Sequence, residues 1–196
     1  IADLAESLTE KDLAIVVVSG GGSALLCWPM SECDQGNELY SLFLHAGGTI
    51  QELNTLRKHI SSIKGGGLAK FLYPATVLSF IFCDVPGDHF QEVASGPTYL
   101  DNSTIDDAKK LLEKYNIKDM FSFNETPKEA KYFERVINIP FVSNKESLRA
   151  MEEEGKRRGG QRWTTAIPVG FRSAYGSVRH RGRWNRIEAA DGYTRV

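Results

Sequence analysis

A continuous apolar run, Leu13 to Val18, opens directly into Ser19-Gly20-Gly21-Gly22-Ser23, and this junction restricts the fold more than any other feature of the chain. Six successive residues without a polar side chain, bounded by turn residues and ending in β-branched side chains, mark a strand buried on both faces, as strands of parallel sheets are. Parallel neighbours need a crossover connection, usually a helix. The chain supplies several. Residues 2 to 10 read as the end of a helix. Glu38 to Ala46 reads as a helix closed by Gly47-Gly48, and Thr49 caps another that runs to about Ser61. Lys64-Gly65-Gly66-Gly67 breaks the chain before a short helix, Leu68 to Leu72. A second apolar strand, Ala75 to Cys83, ends at Asp84-Val85-Pro86-Gly87-Asp88. Ser103 or Thr104 begins an amphipathic helix, Ile105 to Tyr115. A third strand, Val136 to Val142, leads through Ser143-Asn144 into a charged helix, Lys145 to Arg158. Strands alternating with helices predict an α/β fold with a mostly parallel sheet and helices on both faces.

Composition narrows the class. With 196 residues, 41% hydrophobic and 25% charged, the chain can bury one ordinary core, and a formal net charge of −1 provides no field that favours nucleic acid or an anionic membrane. The apolar runs, Leu13 to Val18 and the nearly apolar Val77 to Phe82, fall far short of the roughly 20 residues of a membrane helix, so a cytoplasmic protein is expected. Cys27, Cys33 and Cys83 form neither CxxC nor a Cys/His cluster, which predicts reduced thiols. Charge is unevenly placed. Residues 1–158 hold 17 Lys and Arg against 23 Asp and Glu, whereas 159–196 hold seven Arg, no Lys and two acids. The composition breaks near Gly159, and the Arg/Gly-rich end is expected to be an out-of-frame or disordered tail, with a nucleic-acid arm as its alternative.

In parallel α/β sheets ligands sit beyond the carboxyl ends of the strands, and all three strands here run into polar or glycine-rich turns. At Ser19, Gly20, Gly21, Gly22 and Ser23 the missing side chains let backbone N–H groups approach an anion, with the two serines as hydroxyl donors. The pattern is neither Walker A nor GxGxxG. On the helix that Thr49 caps, Asn54, Arg57 and Lys58 share a polar face, and Lys64 follows before the second glycine run; such a face suits a carboxylate or a phosphate, or is simply solvated. Asp84, at a strand end, and Asp88 are candidates for Mg²⁺ or for orienting an attacking hydroxyl, or else for capping a turn. Ser95, Gly96 and Thr98 lie in a rigid small-residue turn, and Asn144 follows the third strand. His45, His59 and His89 lack metal-ligand spacing and read as surface or helix-packing residues.

Four segments in order, VVVSGGGSALL (16 to 26), ELNTLRKHISSIKGGGLAK (52 to 70), FCDVPGDHFQEVASGPT (82 to 98) and VSNKESL (142 to 148), resemble the N-terminal domain of class II glycerate kinases, sometimes labelled hydroxypyruvate reductases. The resemblance covers about residues 2 to 158; the tail matches nothing in the family. It implies a Rossmann-like N-terminal domain, a second α/β domain and a cleft between them. It further implies transfer of the γ-phosphoryl group of ATP to D-glycerate, commonly giving 2-phosphoglycerate, with Mg²⁺. Asp84 and Lys64 are then the expected catalytic residues, Asp84 and Asp88 the metal ligands, and the glycine loop, Asn54, Arg57, Lys58, Ser95, Gly96, Thr98 and Asn144 the substrate or phosphate contacts. Because phosphoryl transfer depends on positioning from both sides of a cleft, this chain is expected to be an inactive fragment of a two-domain protein. Two alternatives are an NAD(P)H-dependent hydroxypyruvate reductase and a nucleic-acid-binding chain acting through the Arg-rich tail.

Overall fold

A computed structural model describes residues 1–158 apart from 6, 86 and 119 and the side chains of 2 and 3; it further describes the backbone of 177–180 and 183–186. The chain divides into two compact units, Ile1–Val142 and Ser143–Val196. In the first, a short helix α1 (Ala2–Ala5) precedes β1 (Leu13–Val18), α2 (Gly22–Leu25), α3 (Ser31–His45), α4 (Ile50–Ile60), α5 (Gly67–Leu72) and β2 (Thr76–Cys83). A 3-10 segment (Phe90–Ser95), α6 (Ile105–Lys114) and β3 (Val136–Ser143) follow. The three strands form one sheet in the order β1-β2-β3, with β1 and β2 parallel and Val18 opposite Ile81. The expected α/β architecture is therefore present. Among the described residues no helix is long and apolar enough to cross a membrane.

Helix boundaries follow local chemistry. Thr49 caps α4 in a capping box: its hydroxyl accepts from the Glu52 N–H while the Glu52 carboxylate accepts from the Thr49 N–H. Thr104, not Ser103, caps α6, with Asp107 as its reciprocal partner. Helix α3 starts earlier than the expected Glu38 and carries Gly36 in its interior; Glu32 and Asp34 in its first turn favour the start. Helices α3, α4 and α6 enclose the largest core, in which Leu39, Phe43, Leu53, Leu56 and Ala108 are fully buried. Each such leucine or phenylalanine is worth about 1.5–3 kcal/mol relative to exposure.

Two expectations need correction. Strand β1 is not buried on both faces: Leu13, Ile15 and Val17 are 55%, 64% and 66% exposed, while Val18 is buried. The register explains the split, because Ala14, Val16 and Val18 share a face with Val77, Ser79 and Ile81 under the helices, whereas Ile15 and Val17 share the other with Leu78 and Phe80. Cys27 and Cys33 are joined as a disulfide, with Cα atoms 5.5 Å apart, and only Cys83 is a free, buried thiol. The turn between α2 and α3 closes that six-residue separation, which spacing alone does not reveal.

In the second unit α7 (Asn144–Arg157) begins at Ser143, which forms a capping box with Glu146, and β4 (Ser177–His180) pairs antiparallel with β5 (Arg183–Arg186). The expectation of an out-of-frame or nucleic-acid-binding tail otherwise lies outside the described residues.

Candidate functional site

Because β1 and β2 are parallel neighbours, the glycine loop that leaves β1 and the acidic turn that leaves β2 emerge side by side. Ser19, Gly20 and Gly21 are exposed. Gly21 has φ 85°, a left-handed conformation that glycine adopts without penalty, and it caps the single turn of α2. Gly20 and Gly22 are needed for a different reason. A Cβ at Gly20 would lie 1.8 Å from Asp84 Oδ2, and one at Gly22 would lie 2.6 Å from the Cβ of Ala94. The exposed Asp84 carboxylate thus lies against the loop backbone at Gly20, and the turn that ends the 3-10 segment packs against it at Gly22.

That turn holds three successive left-handed residues, Ala94 (φ 51°), Ser95 (φ 59°) and Gly96 (φ 62°). For the two non-glycine residues this costs on the order of 1 kcal/mol or more each. The second glycine run holds it in place: the N–H groups of Gly65 and Gly66 donate to Ser95 O and Gly96 O, both at 2.9 Å, and the Ala69 N–H donates to Pro97 O at 3.2 Å. Strain collected beside an open glycine loop is what a pre-organised site looks like.

A polar chain leads inward from the loop. Ser23 Oγ lies 3.4 Å from Ser95 Oγ, the Ser95 hydroxyl donates to Asn54 Oδ1 at 3.4 Å, and Asn54 Nδ2 donates to Glu92 Oε2 at 3.2 Å. Lys58 Nζ then lies 3.7 Å from Glu92 Oε1 and 3.2 Å from Asp101 Oδ1. Burial works to raise the Asp101 pKa, but the Ser103 hydrogen bond and the Lys58 charge outweigh it and hold the carboxyl below its ordinary value. Thr126, Lys128 and the fully buried His59 complete the surroundings of Asp101.

The structure brings together Ser19, the three glycines, Ser23, Asp84, Ser95, Asn54 and Lys58. It separates others. Lys64, 1% exposed, is ion-paired with buried Glu32 and donates to Leu26 O, so its ammonium is spent inside the protein rather than offered to a ligand. Burial lowers its pKa, which the Glu32 carboxylate opposes. Arg57 lies over the Tyr40 ring, 5.2 Å from its centroid. Thr98 is fully buried against Asn138 and Ser79, and Gly96 is buried in the turn. Asp88, with φ 58°, is partly buried and its carbonyl accepts from the Phe90 N–H. Asn144 opens α7 in the second unit. Glu92, Asp101 and Glu32 went unnoticed in the sequence, since each acquires its partner from 32 to 43 residues away. No local signal marks them.

Among the described residues no three His, Cys, Asp or Glu side chains gather as a metal site. Asp84 nonetheless offers an exposed hard-oxygen ligand, and Mg²⁺ commonly binds through one or two carboxylates together with substrate phosphates.

Known proteins are similar to this chain in sequence and in fold. The chain is 40% identical over 135 residues to a D-glycerate 2-kinase of Thermotoga maritima, covering 65% of this chain and 32% of that protein. It is 46% identical over 120 residues to the human glycerate kinase, covering 60% of this chain and 23% of that protein. The crystal structure of a glycerate kinase from Thermotoga maritima superposes with a TM-score of 0.69 at 34% identity, over 82% of this chain and 40% of the other. The chain thus spans about a third or less of the curated relatives. A family model described as a domain of unknown function (DUF4147) matches residues 1–125, the stretch that carries the glycine loop, Asp84 and the Ser95 turn, and the chain belongs to that family.

Proposed function

We propose that this chain carries the glycine-loop half of an ATP-dependent kinase that phosphorylates D-glycerate, with 2-phosphoglycerate as product. The observation that carries the reading is the meeting, at the ends of β1 and β2, of an open glycine loop, the Asp84 carboxylate and a strained turn. Asp84 accepts a hydrogen bond from the attacking hydroxyl and takes up its proton. The loop backbone, with no side chain at three successive positions, lets a phosphate or carboxylate come close. Asp84 would also hold Mg²⁺, which supplies charge neutralisation at the transferring phosphoryl group.

By itself the chain turns over negligibly, because phosphoryl transfer depends on groups that enclose the substrates from both sides. Equilibrium binding of D-glycerate, Mg-ATP and NADH to the 196-residue chain tests the reading. Saturable binding of the first two is expected, weakened by Gly21→Val. NADH binding, with oxidation by hydroxypyruvate in the absence of ATP, would replace the kinase by a reductase.

A further inference from the structure

Serines at a glycine loop are ordinarily counted as donors to an anion. The side chains behind Ser23 reverse that polarity. A carboxylate paired with an ammonium can only accept hydrogen bonds, so Glu92, facing Lys58, must receive the NH₂ end of the Asn54 amide. The orientation of that amide therefore follows from its charged neighbour and does not depend on telling nitrogen from oxygen. The carbonyl end of Asn54 faces Ser95, whose single hydroxyl proton is committed to it. The proton in the contact between Ser95 and Ser23 must then come from Ser23. Ser95 is fully buried while Ser23 is half-buried at the loop, so the chain runs from the interior to the site and leaves Ser23 with only lone pairs to offer. The neighbouring side chain at the loop, Asp84 against Gly20, is likewise an acceptor.

We infer that Ser23 accepts a hydrogen bond from a hydroxyl group of the ligand, and that Glu92 is a positioning residue that enforces this polarity through Asn54 and Ser95. The loop thereby distinguishes a hydroxylated carbon from an unprotonated phosphate oxygen, which cannot donate. The inference rests on the proposed function only for the identity of the ligand, D-glycerate, whose hydroxyls it assigns to Ser23 and Asp84.

The test is titration of the full chain and its Ser23→Ala, Ser23→Thr and Glu92→Ala variants with D-glycerate, D-lactate, 3-hydroxypropionate and dimethyl phosphate, an oxyanion with no hydroxyl to donate, with thermal midpoints recorded to confirm folding. Ser23→Ala should weaken D-glycerate by about tenfold, the scale of one hydrogen bond, and leave dimethyl phosphate unchanged. Ser23→Thr, which keeps the hydroxyl, should restore the affinity. One of the two deoxy acids should bind wild type and Ser23→Ala equally, which identifies the hydroxyl that Ser23 receives. Glu92→Ala frees the Asn54 amide to turn over, and should raise the preference for dimethyl phosphate over D-glycerate by about tenfold. A merely structural role for Glu92 would weaken both ligands together. Dimethyl phosphate binding that falls with Ser23→Ala, or D-glycerate binding that does not, would overturn the inference. If D-glycerate fails to bind while another hydroxy acid binds in a Ser23-dependent manner, the glycerate reading falls and the polarity stands. If no hydroxy acid binds, the polarity falls as well.

Discussion

Two runs of three glycines, Gly20 to Gly22 and Gly65 to Gly67, are indistinguishable as sequence and opposite as structure. The first faces solvent at Gly20 and Gly21 and is open at its centre: a Cβ at Gly21 would meet only Leu25 Cδ1, at 3.9 Å, although Gly20 and Gly22 are closely approached by Asp84 and Ala94. The second is packed solid. A Cβ at Gly65 would strike Thr126 Cγ2 at 2.7 Å, one at Gly66 the Tyr99 carbonyl at 2.8 Å, and one at Gly67 the Ser62 carbonyl at 2.1 Å. The buried run serves the open one by holding the left-handed Ser95 turn in position. Glycine is thus required once for access and once for close backbone packing, and only the neighbours tell which.

The comparison can be broken by substitution. Gly67→Ala sets a methyl group against backbone that cannot move aside, and should cost about 4 kcal/mol or prevent folding, as read from denaturant unfolding. A near-normal midpoint would mean the second run is not packed as described. Glu32→Ala leaves Lys64 buried without its carboxylate and should cost about 3 kcal/mol; Glu32→Gln, which keeps shape and one acceptor, should cost less. Were Lys64 instead a free catalytic cation, Glu32→Ala would leave the unfolding midpoint unmoved. At the open run Gly21→Ala should lower stability by only about 1 kcal/mol, the penalty of the left-handed backbone, while Gly21→Val weakens binding of ATP or D-glycerate by about tenfold. A large stability loss at Gly21 would erase the contrast between the two runs.

The smallest effect belongs to a control in neither glycine run. Glu52, hydrogen-bonded by Lys114 and Thr49, has its pKa lowered from 4.5 to about 2. Because the folded value is depressed, this stabilisation is complete above the ordinary carboxyl range and is lost as pH falls from 4.5 towards 2. The pair is solvent-accessible and screened, so the loss should be under about 1 kcal/mol. Glu52→Gln should flatten that part of the stability profile, measured by thermal unfolding at stepped pH. It should leave ligand binding unchanged.

Much of the framework was legible in the residues. The runs at 13–18 and 75–83 are apolar enough to announce strands, and Thr49 with Glu52 announces a helix start, because both signals are local. Burial on both faces of β1 was misjudged for a related reason: six apolar side chains state that they can be buried, not that something covers them. The disulfide was invisible because it depends on how sharply the chain turns between α2 and α3. At the site, chemistry and position singled out the glycine loop, Asp84, Asn54, Lys58 and Ser95, which the structure places near one another; Lys64, singled out on the same grounds, lies buried in an ion pair with Glu32.

What the sequence determined by itself is the α/β alternation, the caps and the two glycine runs, since each depends on residues within a few positions of one another. Only the tertiary structure decided which run is open, which lysine is spent in an ion pair, and that Glu92 stands behind Asn54. The last two depend on partners 32 and 38 residues apart, and a charge buried or exposed by packing carries no mark of its fate in its neighbours along the chain.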